Sequence, residues 1–203
     1  MSNEPNGRAG RLAVLSRLDL ARHATNLLHN KEEALKRERT RLAAHTERSH
    51  AEWDRLYAEA AGLLLRARAM GASDRIRDLV ISGPDSATVE TAWQMSMGIT
   101  YPGRISCHPT TPAHLSGTAA LVPAIEAYQR ALTAGAQHAA TTTALDRLDD
   151  EIVNTRRRRR AIDDHLIPRL DTELQKLNLA LDEQDRDEAI RVRLAANRKV
   201  RSS

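Results

Sequence analysis

The sequence predicts a mainly α protein, in which two long helices form an antiparallel coiled coil joined by a small head that contains a β-hairpin. Apolar residues recur every seven positions in the first third of the chain, which is typical of a coiled coil. The middle third contains turn residues and short β-branched runs. Aromatic residues make up only 2% of the 203 residues, and Phe is absent. We therefore expect a narrow seam of burial instead of a thick core.

The first helix is predicted by two rows of residues with a seven-residue period, which implies a left-handed supercoil. One row is apolar except for Ser49, and half of the other row is polar. We therefore expect a seam of limited stability that specifies one register. Gly71 is placed to end this helix in a left-handed conformation, so we assign residues 1–10 to a tail and 11–70 to the helix. The rows are Val14, Ala21, Leu28, Leu35, Leu42, Ser49, Leu56, Leu63, Met70 and Leu18, Thr25, Glu32, Arg39, Thr46, Trp53, Ala60, Ala67.

The head is predicted to span residues 71–111. Asp74 to Ile81 has the pattern of a short helix, and turn residues cluster from Ser82 to Ser86. Two runs with rough alternation then predict a short hairpin: Thr88 to Trp93, and a returning strand from Ile99 that Pro102-Gly103 ends. Because a two-stranded hairpin is marginal alone, we expect it to pack on the helices or on a partner.

The second helix is predicted over residues 112–197, followed by a tail at 198–203. Thr111-Pro112 is a plausible start, and Pro123 and Pro168 lie within the helical pattern, where each should bend the helix. Since a head joins the helices, they run antiparallel, which should place Arg8 and Arg11 near residues 191–201. The predicted seam is Leu145, Leu148, Ile152, Thr155, Arg159, Ile162, Leu166, Leu170, Leu174, Leu177 and Leu181.

Five consecutive arginines, Arg156 to Arg160, lie within this helix. At about 100° per residue they cover its whole circumference, so one must face the partner helix. The seam phase selects Arg159, for which we propose an ion pair with Glu32 or Glu38, and the others should point outward. Two alternatives remain for the run: a solvated helical face, or a patch that binds nucleic acid, which the net charge of +4 allows.

No pattern in the sequence indicates catalysis or a cofactor. Gly7 to Arg11 lacks the spacing of a phosphate-binding loop, the histidines lack metal-ligand spacing, and Cys107-His108 is a poor nucleophile and base pair. We expect no catalytic residue, no metal and no cofactor. The first eleven residues are polar and no apolar run reaches the ~18 to 20 residues of a membrane span, so we expect a cytoplasmic protein.

Three stretches resemble the D subunit of the V-type and archaeal-type rotary ATPases: RLAVLSRLDLARHATNLLHNKEEAL from Arg11, MGITYPGRI from Met97, and Glu151 to Glu183 with LIPRL at Leu166 to Leu170. The resemblance implies a non-catalytic central rotor subunit that couples ATP hydrolysis or synthesis to ion translocation through a membrane ring. The implied partners are the catalytic A and regulatory B subunits, the central-stalk F subunit and a membrane-side rotor adaptor. The implied location is peripheral, at the inner face of the cell membrane.

The resemblance also assigns roles to residues. The end that carries both termini would enter the A/B ring, and Pro168 would bend the helix. Trp93, Met95, Met97 and Tyr101 would dock the F subunit or the adaptor, with a small local core under the hairpin as the alternative. A coiled-coil scaffold or a nucleic-acid-binding protein that uses Arg156–Arg160 remains the alternative function. The expected ring contacts are Arg8, Arg11, Leu12, Leu15, Arg156, Arg157, Arg158, Arg160 and Arg191.

Overall fold

The computed structural model describes residues 7–82, 87–109 and 119–201. They form two long helical stretches with a two-stranded antiparallel hairpin between them in the chain, which confirms the predicted fold class. Two compact units divide the chain: one holds the described residues up to Glu32 and from Val153 onward, and the other holds Glu33–Ile152. The elements are α1 (Gly7–Ala67), α2 (Ser73–Ser82), β1 (Thr88–Ser96), β2 (Ile99–His108), α3 (Leu121–Ala161) and α4 (Ile167–Arg201).

In the first unit, α1 and α4 pack antiparallel. Val14, Leu18 and Ala21 are buried against Leu170, because residues spaced by three and four positions share one helix face. Ion pairs flank this core, from Arg22 to Asp171 at 3.8 Å and from Arg8 to Asp185 at 3.5 Å. The residue numbers of the partners on α4 decrease as the residue numbers on α1 increase, which is the predicted antiparallel arrangement.

The predicted proximity of Arg8 and Arg11 to residues 191–201 is wrong. Arg8 reaches Asp185, and Arg11 Nε donates to Asn178 Oδ1 at 2.8 Å. Since α4 runs on to Arg201, it continues past the first described residue of α1. Helix α1 in turn includes residues 7–10, and α4 includes residues 198–201, which the sequence analysis assigned to tails.

A wide helical turn lies directly before Pro168. Residues Ile162–Leu166 are π-helical, and the Ile167 N–H donates to the Ile162 carbonyl. Proline lacks a donor and crowds the preceding turn, and a π-turn is a common cause of a kink. The turn also explains the predicted change of phase, since residues four apart, Ile162, Leu166 and Leu170, stay on the packed side.

In the second unit, α1 and α3 pack antiparallel around small clusters. Leu35 contacts Leu148 and Ile152, and further along α1 a second cluster contains Ala67 and Leu121. An ion pair joins Arg39 to Asp149, and another joins Glu59 to Arg130 at 3.0 Å. The buried positions of α3 before Leu148 are mostly alanine, so much of this contact is made by small side chains.

Helix α1 ends at Ala67, and the π-helical turn Arg68–Ala72 that follows it is broken at Gly71, whose φ of 89° lies in the predicted left-handed region. Met70, which the period assigned to the seam, is 70% exposed, so its assignment is wrong. The turn at Arg68–Ala72 changes the helical phase before α2 begins, and Met70 rotates away from the packed face. Helix α2 at Ser73–Ser82 confirms the predicted short helix.

The hairpin is longer than predicted. Strand β2 does not end at Pro102-Gly103 but continues to His108. Ala92 pairs with Arg104 and Trp93 pairs with Pro102, so Gly103 is the extra residue of a β-bulge, which accommodates a proline in a strand.

A side chain from α3 completes the hydrogen bonding at the bulge. Gln137 Oε1 accepts from the Ile105 N–H at 3.2 Å, and its Nε2 donates to the Gly103 carbonyl at 3.3 Å. The sequence analysis also did not identify the hairpin turn at Met97-Gly98. Both residues have positive φ, 51° and 82°, as tight hairpin turns require.

Pro123 does not bend the second helix. Helix α3 begins at Leu121, so Pro123 lies in the first turn, where its missing N–H would have no intrahelical acceptor. The predicted turn at 83–86 and the predicted start at Thr111-Pro112 lie outside the described residues. Within the described ranges, every helix lacks the apolar length that a membrane span requires.

Candidate functional site

The arginine run contacts a buried carboxylate. Glu32 is only 2% exposed, and it accepts from Arg156 Nε at 3.0 Å and from Arg159 Nε at 3.4 Å. Arg159 also donates to Asp163, four residues later, at 3.3 Å. The Arg159–Glu32 pair is the first of the two pairings proposed from the sequence. The second candidate, Glu38, instead contacts Arg41 and Tyr101.

Arg156 was expected to point outward, and the structure corrects this. It pairs with Glu32 and is half-buried. Residues three apart lie on one helix face, so Arg156 and Arg159 reach the same carboxylate. Arg157, Arg158 and Arg160 are exposed, and Arg157 and Arg160 line a shallow recess with Asp164 and His165.

At the end of the first unit that carries the chain termini, the predicted contact residues differ in exposure. Leu12 is 65% exposed, whereas Leu15 is half-buried. Arg8 and Arg11 are exposed but contact α4, as described above. Arg191 is exposed on α4 between Ile190 and Val192, whose side chains are also more than half exposed. This end therefore presents apolar and cationic groups to solvent.

On the hairpin, three of the four predicted docking residues are exposed. Trp93, Met95 and Met97 each expose more than half of their surface. The guanidinium of Arg147 lies 5.2 Å from the centre of the Trp93 ring, a distance suited to a cation–π contact, and it donates to the Thr100 carbonyl at 2.7 Å.

Tyr101 is not available for docking, because it is only 3% exposed. Its hydroxyl donates to Glu38 Oε1 at 3.1 Å. Burial, and next the charge of Glu38, raise the pKa of the Tyr101 phenol above its ordinary value of 10.0. This residue belongs to the local core between the hairpin and α1, the alternative that the sequence analysis kept open.

Apart from Arg39 and Met70, which are exposed, the predicted seam residues are shielded from solvent to different degrees. Val14, Leu35, Leu148, Ile152 and Leu170 are buried. The others are half-buried: Leu28, Leu42, Leu56, Leu63, Arg159, Ile162 and Leu166.

The sequence analysis missed a polar and aromatic cluster in the seam. Ser49 Oγ lies 3.1 Å from Thr141 Oγ1 and 3.2 Å from His138 Nδ1. The His138 ring stacks on His50 and on Trp53, with centroids 5.0 Å and 5.7 Å away, and the His50 and Trp53 rings are themselves 6.0 Å apart. Ser49, the one polar residue in its row, was the available signal. Across the described ranges, no group of three or more histidine, cysteine or acidic residues is arranged to hold a metal.

Comparison with known proteins identifies the family. The family model for the D subunit of ATP synthase matches residues 12–197. The protein named as the V-type ATP synthase D subunit of Anaeromyxobacter dehalogenans strain 2CP-C is 28% identical over 95% of each chain. A protein of the same name from Anaeromyxobacter sp. strain Fw109-5 is 25% identical over 99% of this chain and 96% of its own. The match covers both long helical stretches and the hairpin, and the chain belongs to the ATP synthase D-subunit family.

Proposed function

We propose that this chain is the central rotor subunit of a V/A-type ATPase, and that it couples ATP hydrolysis or synthesis in a ring of A and B subunits to ion translocation through a membrane ring. Family membership supports a place in such a complex. The observation that carries the rotor role is the exposed set Arg157, Arg158 and Arg160 on a paired helix. The exposed arginines of such a helix pair can attract acidic loops of a surrounding ring.

The proposed coupling is mechanical and electrostatic. Stopping positions of a rotor must be close in energy, so its contacts with the ring should be numerous and individually weak. Exposed ion pairs suit this requirement because each contributes only about 0 to 1 kcal/mol. Glu32 assists by fixing Arg156 and Arg159, and the three arginines between and beside them then project from a defined backbone.

The ends of the molecule would take different partners. Leu12, Leu15 and Arg191 would contact the A/B ring, where apolar side chains allow slipping more readily than directional hydrogen bonds. Trp93, Met95 and Met97 would dock the F subunit or the rotor adaptor. Large exposed apolar side chains on a surface are typical of such interfaces. The complex would lie at the cytoplasmic face of the cell membrane.

The π-turn before Pro168 supports an asymmetric rotor. A bend at Pro168 would present different faces to equivalent sites of a ring, which can then adopt different states. Since a π-turn is one of the established causes of a helix kink, Ile162–Leu166 is the segment that would carry the bend.

The nucleic-acid alternative has less support. Two of the five arginines bind Glu32, and Arg159 also binds Asp163. The run therefore presents three exposed cations beside Asp164, instead of a continuous basic face of five. The purification described next also separates these two functions.

The experiment is an affinity purification of the tagged protein from gently solubilised membranes of its own host, with mass spectrometry and an ATPase assay of the eluate. Recovery of A, B and F-type subunits with ATP hydrolysis supports the proposal. Recovery of the protein alone, or with nucleic acid, contradicts it. Arg158→Glu should reduce the ATPase activity that is coupled to ion transport, whereas Arg66→Glu, an exposed arginine near the end of α1, should leave it unchanged.

A further inference from the structure

The unit formed by Glu33–Ile152 contains a cavity of about 360 Å³ that the proposed function does not use. It lies between α1, the hairpin and α3. Its basic lining residues are Arg41, His45 and Arg48 from α1 and Arg104 from β2. The cavity size falls within the range of small-molecule sites.

The charge of this cavity is one-sided. Arg41, His45 and Arg48 are spaced by four and three positions, so one face of α1 directs all three side chains to the cavity. Arg104 comes from β2, next to the bulge at Gly103. None of the lining residues that the structure describes carries a carboxylate. A second recess in the same unit, lined by Glu52, Arg55, Glu126 and Arg130, has both signs of charge and lacks this imbalance.

Several N–H groups at the cavity have no acceptor among the described residues. Arg41 is engaged, since its Nε and Nη2 donate to Glu38 at 3.0 Å and 2.6 Å. Arg48 uses its Nε for the Ala44 carbonyl at 3.1 Å, while the rest of its guanidinium makes no hydrogen bond or ion pair with the described residues. The Arg104 guanidinium likewise has no hydrogen bond or ion pair among them. The amide of Gln94, which packs over Gly103, adds a polar group to the lining.

We propose that this cavity binds a phosphate-class anion, either inorganic phosphate or the phosphate group of a larger small molecule. Guanidinium groups match the geometry of phosphate oxygens with paired N–H donors. Arg48 and Arg104 supply these donors from two elements, while Arg41 stays paired with Glu38. The cavity volume leaves room for an organic body beside the phosphate. This site is independent of the rotor role, because its residues are outside the surfaces proposed for contact with the ring, the F subunit and the adaptor.

The test is isothermal titration calorimetry of the whole chain at constant ionic strength, with inorganic phosphate in one arm and ribose 5-phosphate in the other. Saturable binding of either probe is expected for the unsubstituted protein. Arg104→Gln should weaken it by about tenfold, the size expected for loss of a charge-assisted hydrogen-bond donor. Arg77→Gln, which removes another exposed arginine, from α2, should leave it unchanged.

The two arms distinguish the sources of the anion. Equal affinity for both probes identifies free phosphate as sufficient, whereas tighter binding of the ester identifies a larger phosphorylated molecule. Arg48→Gln provides a second variant, and circular dichroism checks that both variants fold. Absence of saturable binding by either probe, or unchanged affinity in both cavity variants, overturns the proposal without bearing on the rotor role.

Discussion

Two glutamates of α1, six residues apart, are held in different environments. Glu32 is almost fully buried and shared by Arg156 and Arg159. Glu38 is partly exposed and contacts Arg41 on its own helix and Tyr101 on the hairpin. Burial of a charge is costly unless it is paired and hydrogen-bonded. Glu32 therefore fixes which arginines turn inward, while Glu38 fixes the hairpin against α1.

Removing the Glu32 charge should destabilise the first unit. In Glu32→Gln, Arg156 and Arg159 lose their common carboxylate while they remain partly shielded, so we expect a loss of about 1 to 3 kcal/mol in the free energy of unfolding. Urea denaturation measures it, and a double-mutant cycle with Arg159→Met should give a coupling of at least about 0.5 kcal/mol. Glu52→Gln, an exposed partner of Arg55 on the same helix, serves as the control and should change nothing measurable.

Glu38 should make stability depend on pH. The hydrogen bond from Arg41 holds the pKa of Glu38 below its ordinary value of 4.5; burial opposes this shift, and the Tyr101 hydrogen bond adds to it. A lowered folded-state pKa contributes stability that is present above 4.5 and is lost as the pH falls through the folded-state value. We expect Glu38→Gln to be less stable than the unsubstituted protein at neutral pH, and the difference to shrink in acid.

Urea denaturation of both proteins from about pH 7 to about pH 3 measures this difference. Glu47→Gln, which changes an exposed carboxylate of α1 without a hydrogen bond to the described residues, provides the control. If the difference in the free energy of unfolding between Glu38→Gln and the unsubstituted protein stays constant across this pH range, the lowered pKa of Glu38 is contradicted.

At the scale of the elements, small residues decide how closely α1 and α3 approach. Ala124, Ala127, Ala131 and Ala140 are buried on α3, and Gly135 lies among them. A Cβ atom at Gly135 would stand 3.0 Å from Trp53 Nε1, so the glycine makes room for the indole. Gly62, which lies within the long helix α1, has no such neighbour.

The two glycines provide a matched pair of substitutions. Gly62→Ala should raise the free energy of unfolding by about 0.5 to 1 kcal/mol, because alanine has the higher helix propensity. Gly135→Ala should lack this gain, since its methyl group would displace Trp53, which also stacks on His138. Thermal unfolding followed by circular dichroism compares them. Equal stabilisation by both substitutions would show that Trp53 does not restrict Gly135.

Across the whole molecule, the described apolar core is divided into three small clusters instead of one. Each cluster holds only a few buried side chains, and polar contacts lie between them along the helices. In such a protein, substitution of only a few residues should strongly lower the free energy of unfolding. Leu35, with no exposed surface, is one of them.

Leu35→Asp should unfold the helix pairing in its unit, because it places a carboxylate between Leu148 and Ile152 without a counter-charge. We expect a loss of several kcal/mol, comparable to or above the ~2 to 5 kcal/mol of a buried leucine-to-alanine change. Leu27→Asp makes the same chemical change at a position of α1 that is 56% exposed, and it should have little effect. Denaturant unfolding and amide hydrogen exchange measure the stability of both variants. Similar losses of stability in Leu35→Asp and Leu27→Asp would refute the seam assignment.

The sequence by itself determined the features that depend on residues close together in the chain. The seven-residue period predicted the first long helix, Gly71 predicted the break that follows it, and the phase of the arginine run selected Arg159 for the seam. Each follows from local backbone preference or from the periodic placement of apolar side chains. The family resemblance also lay in such contiguous stretches.

Only the tertiary structure decided the features that join distant segments. Gln137 on α3 bonds to both sides of the Gly103 bulge, so β2 continues where Pro102-Gly103 suggested an end. Tyr101 is buried because Glu38 on another element accepts a hydrogen bond from its hydroxyl, and Arg156 turns inward because Glu32 lies opposite. Arg104 reaches the same cavity as Arg41 and Arg48 through the packing of β2 on α1. The hydrogen-bonded partners are 32 to 124 residues apart, a separation at which local pattern carries no information on which residues meet.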